Sequence, residues 1–232
     1  VVEADACVVT LPLGCLQATL RENATHTDTN TTNKTKLPFF DPPLSDAKIE
    51  GIMAMHMGSY KKVILTFDHI FWPKKEPFLG LIRDGDDSST GLGTCLWMDN
   101  LWAKDGIPMI EAVLFAAAAQ WATGKSDSIV EAAIFEFMTE AGVSPTTKSI
   151  ETSFVSSHVT RWEEDPYSKG TFSYYGLGTL DRHCDALSEP EWDGCLVLAG
   201  EATNSEWQGS VHGALQSGTE AAEQITSFLS KT

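Results

Sequence analysis

The chain has 232 residues, 42% of them hydrophobic, which is enough to bury a substantial core in one large domain or two small ones. Sixteen basic against 32 acidic residues leave a formal charge of −16, which excludes the clustered Lys and Arg that nucleic acid binding needs and suits a cationic ligand. No apolar run approaches the roughly 18 residues that span a bilayer, so the expectation is a soluble protein without a membrane partner, intracellular favoured. Its compartment stays open, because the abrupt, strand-like start is expected to follow a preceding portion. Cys7, Cys15, Cys95, Cys184 and Cys195 are widely spaced with no C-x-x-C pair, so neither a metal site nor a disulfide framework is indicated.

In chain order, residues 1–17 read as a buried strand ending at Pro12, with 13–16 turning away. Residues 21–36 are rich in Thr and Asn with almost no apolar side chains, and read as a polar insertion, exposed or disordered. Three sequons fall there, at Asn23, Asn30 and Asn33, of the kind such a tract produces by chance. After Pro42 and Pro43, Ser45 is a candidate N-cap for a helix running to Met55. β-branched and aromatic residues predict a strand at 62–67, with short strands at 78–82, 94–98 and 109–115. Loops are expected at 71–73 and in the Gly/Asp/Ser-rich stretch 84–93, and the alanine run 116–119 extends the preceding segment as helix. Ser128 and Glu131 fit a capping box, before a helix with Ile129, Ala132, Ala133 and Met138 on one face that Gly142 stops. After a break at 188–190, residues 195–199 read as a strand. From Val211, small and apolar residues at Ala214, Leu215, Gly218, Ala221, Ala222, Ile225, Phe228 and Leu229 form one stripe of an amphipathic helix.

The most informative stretch is Leu196-Val197-Leu198-Ala199-Gly200-Glu201-Ala202-Thr203, followed by Gly209-Ser210-Val211-His212-Gly213-Ala214 at the start of that last helix. An open α/β sheet binds its nucleotide outside the carboxyl ends of its strands, where a carboxylate meets sugar hydroxyls and a helix N-terminus meets phosphate. Glu201 stands at such an end. Burying its carboxylate without donors is costly, so ribose or ribityl hydroxyls are its natural partners, while Gly200 permits close backbone approach. This wording resembles the C-terminal FAD motif of the flavin-dependent amine oxidases, the family of polyamine oxidases and lysine-specific histone demethylases. Three other stretches are similar to that family: residues 4–14, a strand returning to the FAD domain; residues 60–72, around Lys62; and residues 161–174, a W-x-x-D-P-x-x-x-G-x-[YF]-S-Y element.

The resemblance implies an α/β fold: the C-terminal part of a two-domain FAD-dependent amine oxidase, with a mixed-sheet substrate domain and pieces of a Rossmann-like FAD domain. Residues 1–17 and 191–232 would be the FAD-domain pieces and 18–190 the substrate domain. No G-x-G-x-x-G occurs, since Gly91-Leu92-Gly93 and Gly176-Leu177-Gly178 lack the third glycine, so that fingerprint is expected upstream. The resemblance assigns non-covalent FAD to Gly200, Glu201, Ser210, Val211 and Trp162. Phe172, where the family often has tyrosine, and Tyr174 fall on the substrate side, where aromatic faces attract an amine cation. Trp207 is a candidate for an aromatic that the family places before the last helix, and His212 reads more simply as structural. Lys62 occupies the place of a lysine that holds water beside the flavin, with Lys61 as the competing register, and burial is expected to depress its pKa enough for proton transfer. The implied activity is oxidation of an amine, a polyamine first, by molecular oxygen to an imine or aldehyde and hydrogen peroxide. A lysine-specific demethylase-like oxidase is the alternative, and a catalytically inactive fragment serving as a binding module is a reading from another class.

Overall fold

The computed structural model describes residues 2–25, 39–83 and 91–231. In chain order its elements are β1 (Cys7–Val9), α1 (Leu13–Thr25), α2 (Asp46–Ala54), β2 (His56–Met57), β3 (Tyr60–Phe67), β4 (Phe78–Ile82), β5 (Cys95–Asn100), α3 (Leu101–Asp105), β6 (Met109–Phe115), α4 (Ala117–Ala122), α5 (Asp127–Glu140), α6 (Ile150–Ser153), β7 (Phe154–Val159), β8 (Ser173–Tyr174), α7 (Asp181–Ser188), β9 (Leu196–Leu198) and α8 (Val211–Leu229). The chain is mixed α/β and divides into two units, one made of Val1–Gly58 and Glu163–Thr232, the other of Ser59–Trp162.

In the unit Ser59–Trp162 an antiparallel sheet runs in the order β4-β5-β6-β3-β7. Strict alternation in β3 sends Lys61, Val63, Leu65 and Phe67 to one face and Tyr60, Lys62, Ile64 and Thr66 to the other. The first face packs with Leu96, Met98, Ile110, Ala112 and Leu114 of β5 and β6 against Val130, Ile134, Phe137 and Met138 of α5. The strands expected at 62–67, 78–82, 94–98 and 109–115 form, because each carries a period-two apolar face. The helix expected after an N-cap at Ser128 starts two residues earlier, at Asp127 after the N-cap Ser126, and Gly142 follows it with φ 76°. The expected capping box does not form, because the Glu131 carboxylate instead accepts a hydrogen bond from the Ser157 hydroxyl of β7.

In the other unit β1 and β9 pair in parallel, Cys7 opposite Leu196 and Val9 opposite Leu198. β9 is buried on both faces. Leu196 and Leu198 pack with Leu13, Leu16, Ile52, Met55 and Leu187, while Val197 and Ala199 pack on Ala221 and Ile225 of α8. That two-sided burial is what a parallel strand between helical layers requires. β1 differs from the buried strand expected at 1–17, since Cys7 and Val8 are exposed and only three residues pair. Residues 13–16 do not turn away but form the first turn of α1, where the carbonyl of Pro12 accepts from the backbone N–H groups of Cys15 and Leu16. The helix also takes in 21–25, the start of the expected polar insertion; 26–36, with Asn30 and Asn33, and 84–90 of the expected Gly/Asp/Ser loop lie outside the described residues. Gln17 joins α1 to α2, its Nε2 donating to the carbonyls of Ile52 (2.8 Å) and Met55 (2.7 Å), which the helix end leaves open.

Ser45 caps α2 as its sequence predicts, accepting from the Lys48 N–H at 3.2 Å. The Lys48 side chain is buried and donates to the carbonyls of Leu187, at 2.9 Å, and Glu189, so an ammonium closes the C-terminus of α7. Burial lowers its pKa to about 8, with the carboxylates of Glu191 and Glu189 pulling the other way. In the unfolded chain an ordinary lysine titrates near 10.5. Between these values the unfolded chain binds more protons than the folded one, so stability rises with pH; below about 8 both states are charged and the penalty of burying the charge is present in full. The unfolding free energy of the wild type, measured against Lys48→Met by urea titration, is therefore expected to gain about 3 kcal/mol across that interval. A difference independent of pH would refute the assignment.

Candidate functional site

The carboxyl end of β9 leads into Gly200, which adopts φ 154° and ψ 175°. A Cβ built there meets no atom within 4 Å, so it is the backbone angle that favours a glycine, and the space in front of it is open. Its N–H donates to Ser217 Oγ of α8 at 3.0 Å, which ties the strand end to the helix. Glu201 follows in a single 3₁₀ turn, Glu201–Thr203.

The Glu201 carboxylate is held by protein donors. Oε1 accepts from the Ser173 N–H at 3.0 Å; Oε2 accepts from the Ser173 hydroxyl at 2.7 Å and from the Gly209 N–H at 2.8 Å. Gln208 Nε2 donates to the same Ser173 hydroxyl at 2.9 Å. Ligand hydroxyls are thus not needed to explain the partial burial of this carboxylate, contrary to the expectation from sequence. With about four acceptor positions on a carboxylate, one is left on Oε1. The partners Ser173, Gly209 and Gln208 were not anticipated; their signal was the serine between Phe172 and Tyr174 and the glycine ahead of Ser210.

Ser210 is the N-cap of α8, its Oγ accepting from the Gly213 N–H at 3.0 Å and donating to the Trp207 carbonyl. A Cβ at Gly213 would stand 2.2 Å from that carbonyl oxygen, so the turn closes only over a glycine. Val211 is exposed, and the rings of Trp207 and His212 meet edge to face at 4.7 Å. Phe172 and Tyr174 flank Ser173, both more than a third exposed; the Tyr174 ring lies 5.4 Å from His56 and Phe172 borders Gly209. One carboxylate therefore brings together the segments that carry Phe172, Tyr174, Gly200 and Ser210.

Lys62 and Trp162 lie in the other unit, Trp162 at its end and half exposed. The two candidate lysines face opposite ways: Lys61 is fully buried on the helix-covered side of the sheet, whereas Lys62 stands on the other face with 45% of its side chain exposed. Its Nζ forms an ion pair with Glu111 Oε1 of β6 at 2.8 Å. The expected depression of its pKa is reversed, because its interaction with the accepting Glu111 carboxylate raises it and outweighs burial. Glu111 was missed by sequence reasoning, its only signal being an acidic residue inside the strand Met-Ile-Glu-Ala-Val-Leu-Phe.

Because three hydrogen bonds end on Glu201, Glu201→Ala is expected to destabilise the chain by about 3 kcal/mol and Ser173→Ala by about 1 kcal/mol, measured by denaturant unfolding. Equal stabilities of Glu201→Ala and the parent would show that this carboxylate does not organise its unit.

Comparison with known proteins places this chain in a family. Residues 1–226 match the family described as flavin containing amine oxidoreductase. The chain is 32% identical over 226 residues to "Lysine-specific histone demethylase 1 homolog 3" of Arabidopsis thaliana, covering 97% of this chain and 12% of that protein. It is 32% identical over 222 residues to "Polyamine oxidase 2" of the same plant, covering 95% and 38%. With the human "Peroxisomal N(1)-acetyl-spermine/spermidine oxidase" it shares 27% identity over 243 residues, 97% of this chain and 43% of that protein. The chain thus spans less than half the length of each of these relatives. It belongs to the flavin-containing amine oxidoreductases, a family whose cofactor is FAD, typically held non-covalently.

Proposed function

We propose that this chain supplies part of the flavin site, and the substrate-facing residues, of an FAD-dependent oxidase acting on amines, with polyamines as the first substrate class. The observation that carries the reading is the end of β9, where Gly200 faces open space beside a carboxylate with one acceptor position left. These groups fit a sugar-bearing cofactor: Glu201 would accept from a ribose or ribityl hydroxyl, and Gly200 would let the ligand approach the backbone. Ser210 and Val211 would offer N–H groups at the start of α8, and Trp162 would pack on the flavin. In this reading residues 1–17 and 191–232 belong to the FAD domain and 18–190 to the substrate domain.

Bound FAD would supply the two-electron acceptor for converting an amine to an imine, which water would hydrolyse to an aldehyde and a released amine, with oxygen taking up the two electrons and two protons as hydrogen peroxide. The chain's own residues orient and hold. Phe172 and Tyr174 would present ring faces to an amine, attractive while it is a cation and harmless once it is neutral. Lys62 would donate to a water beside the flavin ring. A histone-demethylase-like activity is the second reading, favoured by the 32% identity to a protein named as such.

In a full-length protein that contains this chain, Lys62→Met is expected to leave FAD affinity intact and to slow turnover about 10²- to 10⁴-fold. Glu201→Gln should instead weaken FAD binding about tenfold or more. Flavin titration by fluorescence quenching, and stopped-flow reduction by spermine with reoxidation by oxygen, separate the two effects. Normal rates in Lys62→Met would remove it from the chemistry.

A further inference from the structure

The face of the sheet that bears Lys62 gathers charged and titratable groups from four strands and a helix. Tyr60 and Lys62 come from β3, Glu111 from β6, Asp99 from β5 and His158 from β7, opposite Ile64; Lys104 of α3 stands 3.6 Å from Asp99. Glu111 is only 8% exposed, and Ile64 and Asp99 are its cross-strand partners. A carboxylate so enclosed is costly without a counter-charge. Register supplies one: with Val113 opposite Lys62 and Glu111 opposite Ile64, the carboxylate lies diagonally across the strand pair from the ammonium and meets it at 2.8 Å. Asp99 stands 3.6 Å from Lys104 and acts on Lys62 only through its charge, whereas Glu111 is the carboxylate in contact with Lys62.

We propose that Glu111 is the positioning residue of Lys62, fixing the ammonium on the open face of the sheet and keeping it a cation, so that Lys62 works as a fixed donor to water and not as a proton acceptor. This rests on the assignment of Lys62 to the flavin site made above. An ammonium has three N–H donors and no acceptor. The ion pair with Glu111 Oε1 at 2.8 Å holds one side of it, and the half-exposed remainder is open to water. The hydrogen bond to Glu111 is the main influence holding the lysine above its ordinary value, with the charges of Glu111, Tyr60 and Asp99 acting in the same sense and burial against them. An unpartnered half-exposed lysine would sample many rotamers, whereas the pair confines this one to a single strand crossing.

The coupling is tested in the 232-residue chain by pulse acylation with acetic anhydride between pH 7 and about pH 12, reading Lys62 by mass spectrometry, since only the neutral amine reacts. Glu111→Gln is expected to speed Lys62 labelling about tenfold at a fixed pH below the midpoint and to move that midpoint down by about one pH unit. Glu111→Asp, which keeps the charge, should stay near the wild type. Fully buried Lys61 remains unlabelled wherever the fold is intact, which supplies the control, and Glu111→Leu is a second charge-free variant should the glutamine fail to fold. Unchanged labelling in a folded charge-free variant overturns the proposal. In the flavin-loaded full-length protein, the alkaline limb of the reoxidation rate should move down by the same amount in Glu111→Gln. If labelling shifts while Lys62→Met leaves every flavin rate normal, the flavin-site assignment of Lys62 falls and the proposal with it. Unchanged labelling together with a slow Lys62→Met overturns the proposal alone.

Discussion

Three hydrogen bonds to one carboxylate organise the unit that carries the candidate cofactor groups. Glu201 reaches Ser173, 28 residues before it, by both backbone and hydroxyl, and reaches the Gly209 backbone eight residues after it, so it joins three chain segments. Charge-assisted bonds to backbone N–H groups are about twice as strong as neutral ones, and they fix orientation as well as distance. The consequence is that Phe172 and Tyr174, on either side of Ser173, and Ser210, one residue beyond Gly209, take their places from the same anchor. A residue of this kind combines a folding role with any role toward a ligand, and the two are separable only because one acceptor position remains free.

Much of the fold was legible from local pattern, and the misses have local causes. β3 and β4 were readable because apolar residues alternate along one face, and β6 because it is a short apolar run with Ile110, Ala112 and Leu114 on one face. β7 was not, since Val155, Ser156 and His158 are exposed and the strand pairs with β3 alone among the described residues, so it lacks an apolar face to reveal it. α1 was misread because Pro12 and Gly14 look like a turn; Pro is in fact well suited to the start of a helix, and Gly14 is packed so closely on the 168–169 backbone that a Cβ would fall 2.6 Å from Lys169 O. That contact joins residues about 155 apart in sequence, and no local signal announces it.

The site was legible in its residue types and not in its connections. Glu201, Gly200 and Ser210 could be picked out because a strand end, a glycine and a helix cap have fixed chemical meanings. That Ser173 and Gly209 donate to Glu201 depends on tertiary placement, and the sequence argument, which looked only to a ligand for those donors, did not anticipate them. The same limit applies to Lys62. Alternation separates it from Lys61 once the face of β3 is known, but its partner sits 49 residues away and is found only through the register of β3 with β6.

The net charge of −16 turns out to be a coarse guide to the local electrostatics of this chain. An acidic surface steers cations at long range, where salt screens it within about 10 Å. Near the functional groups the pairing is close to balanced: Lys62 with Glu111, and Lys104 with Asp99. Two lysines illustrate how the environment, and not the residue type, sets the outcome. Lys48, enclosed and bonded to neutral carbonyls, is pushed toward its neutral form, whereas Lys62, half exposed beside a carboxylate, is held charged. If a lysine is to order water as a cation, the second environment serves it and the first would not. Placement of an acidic residue within β6 is therefore more informative about this chain's chemistry than its excess of sixteen negative charges.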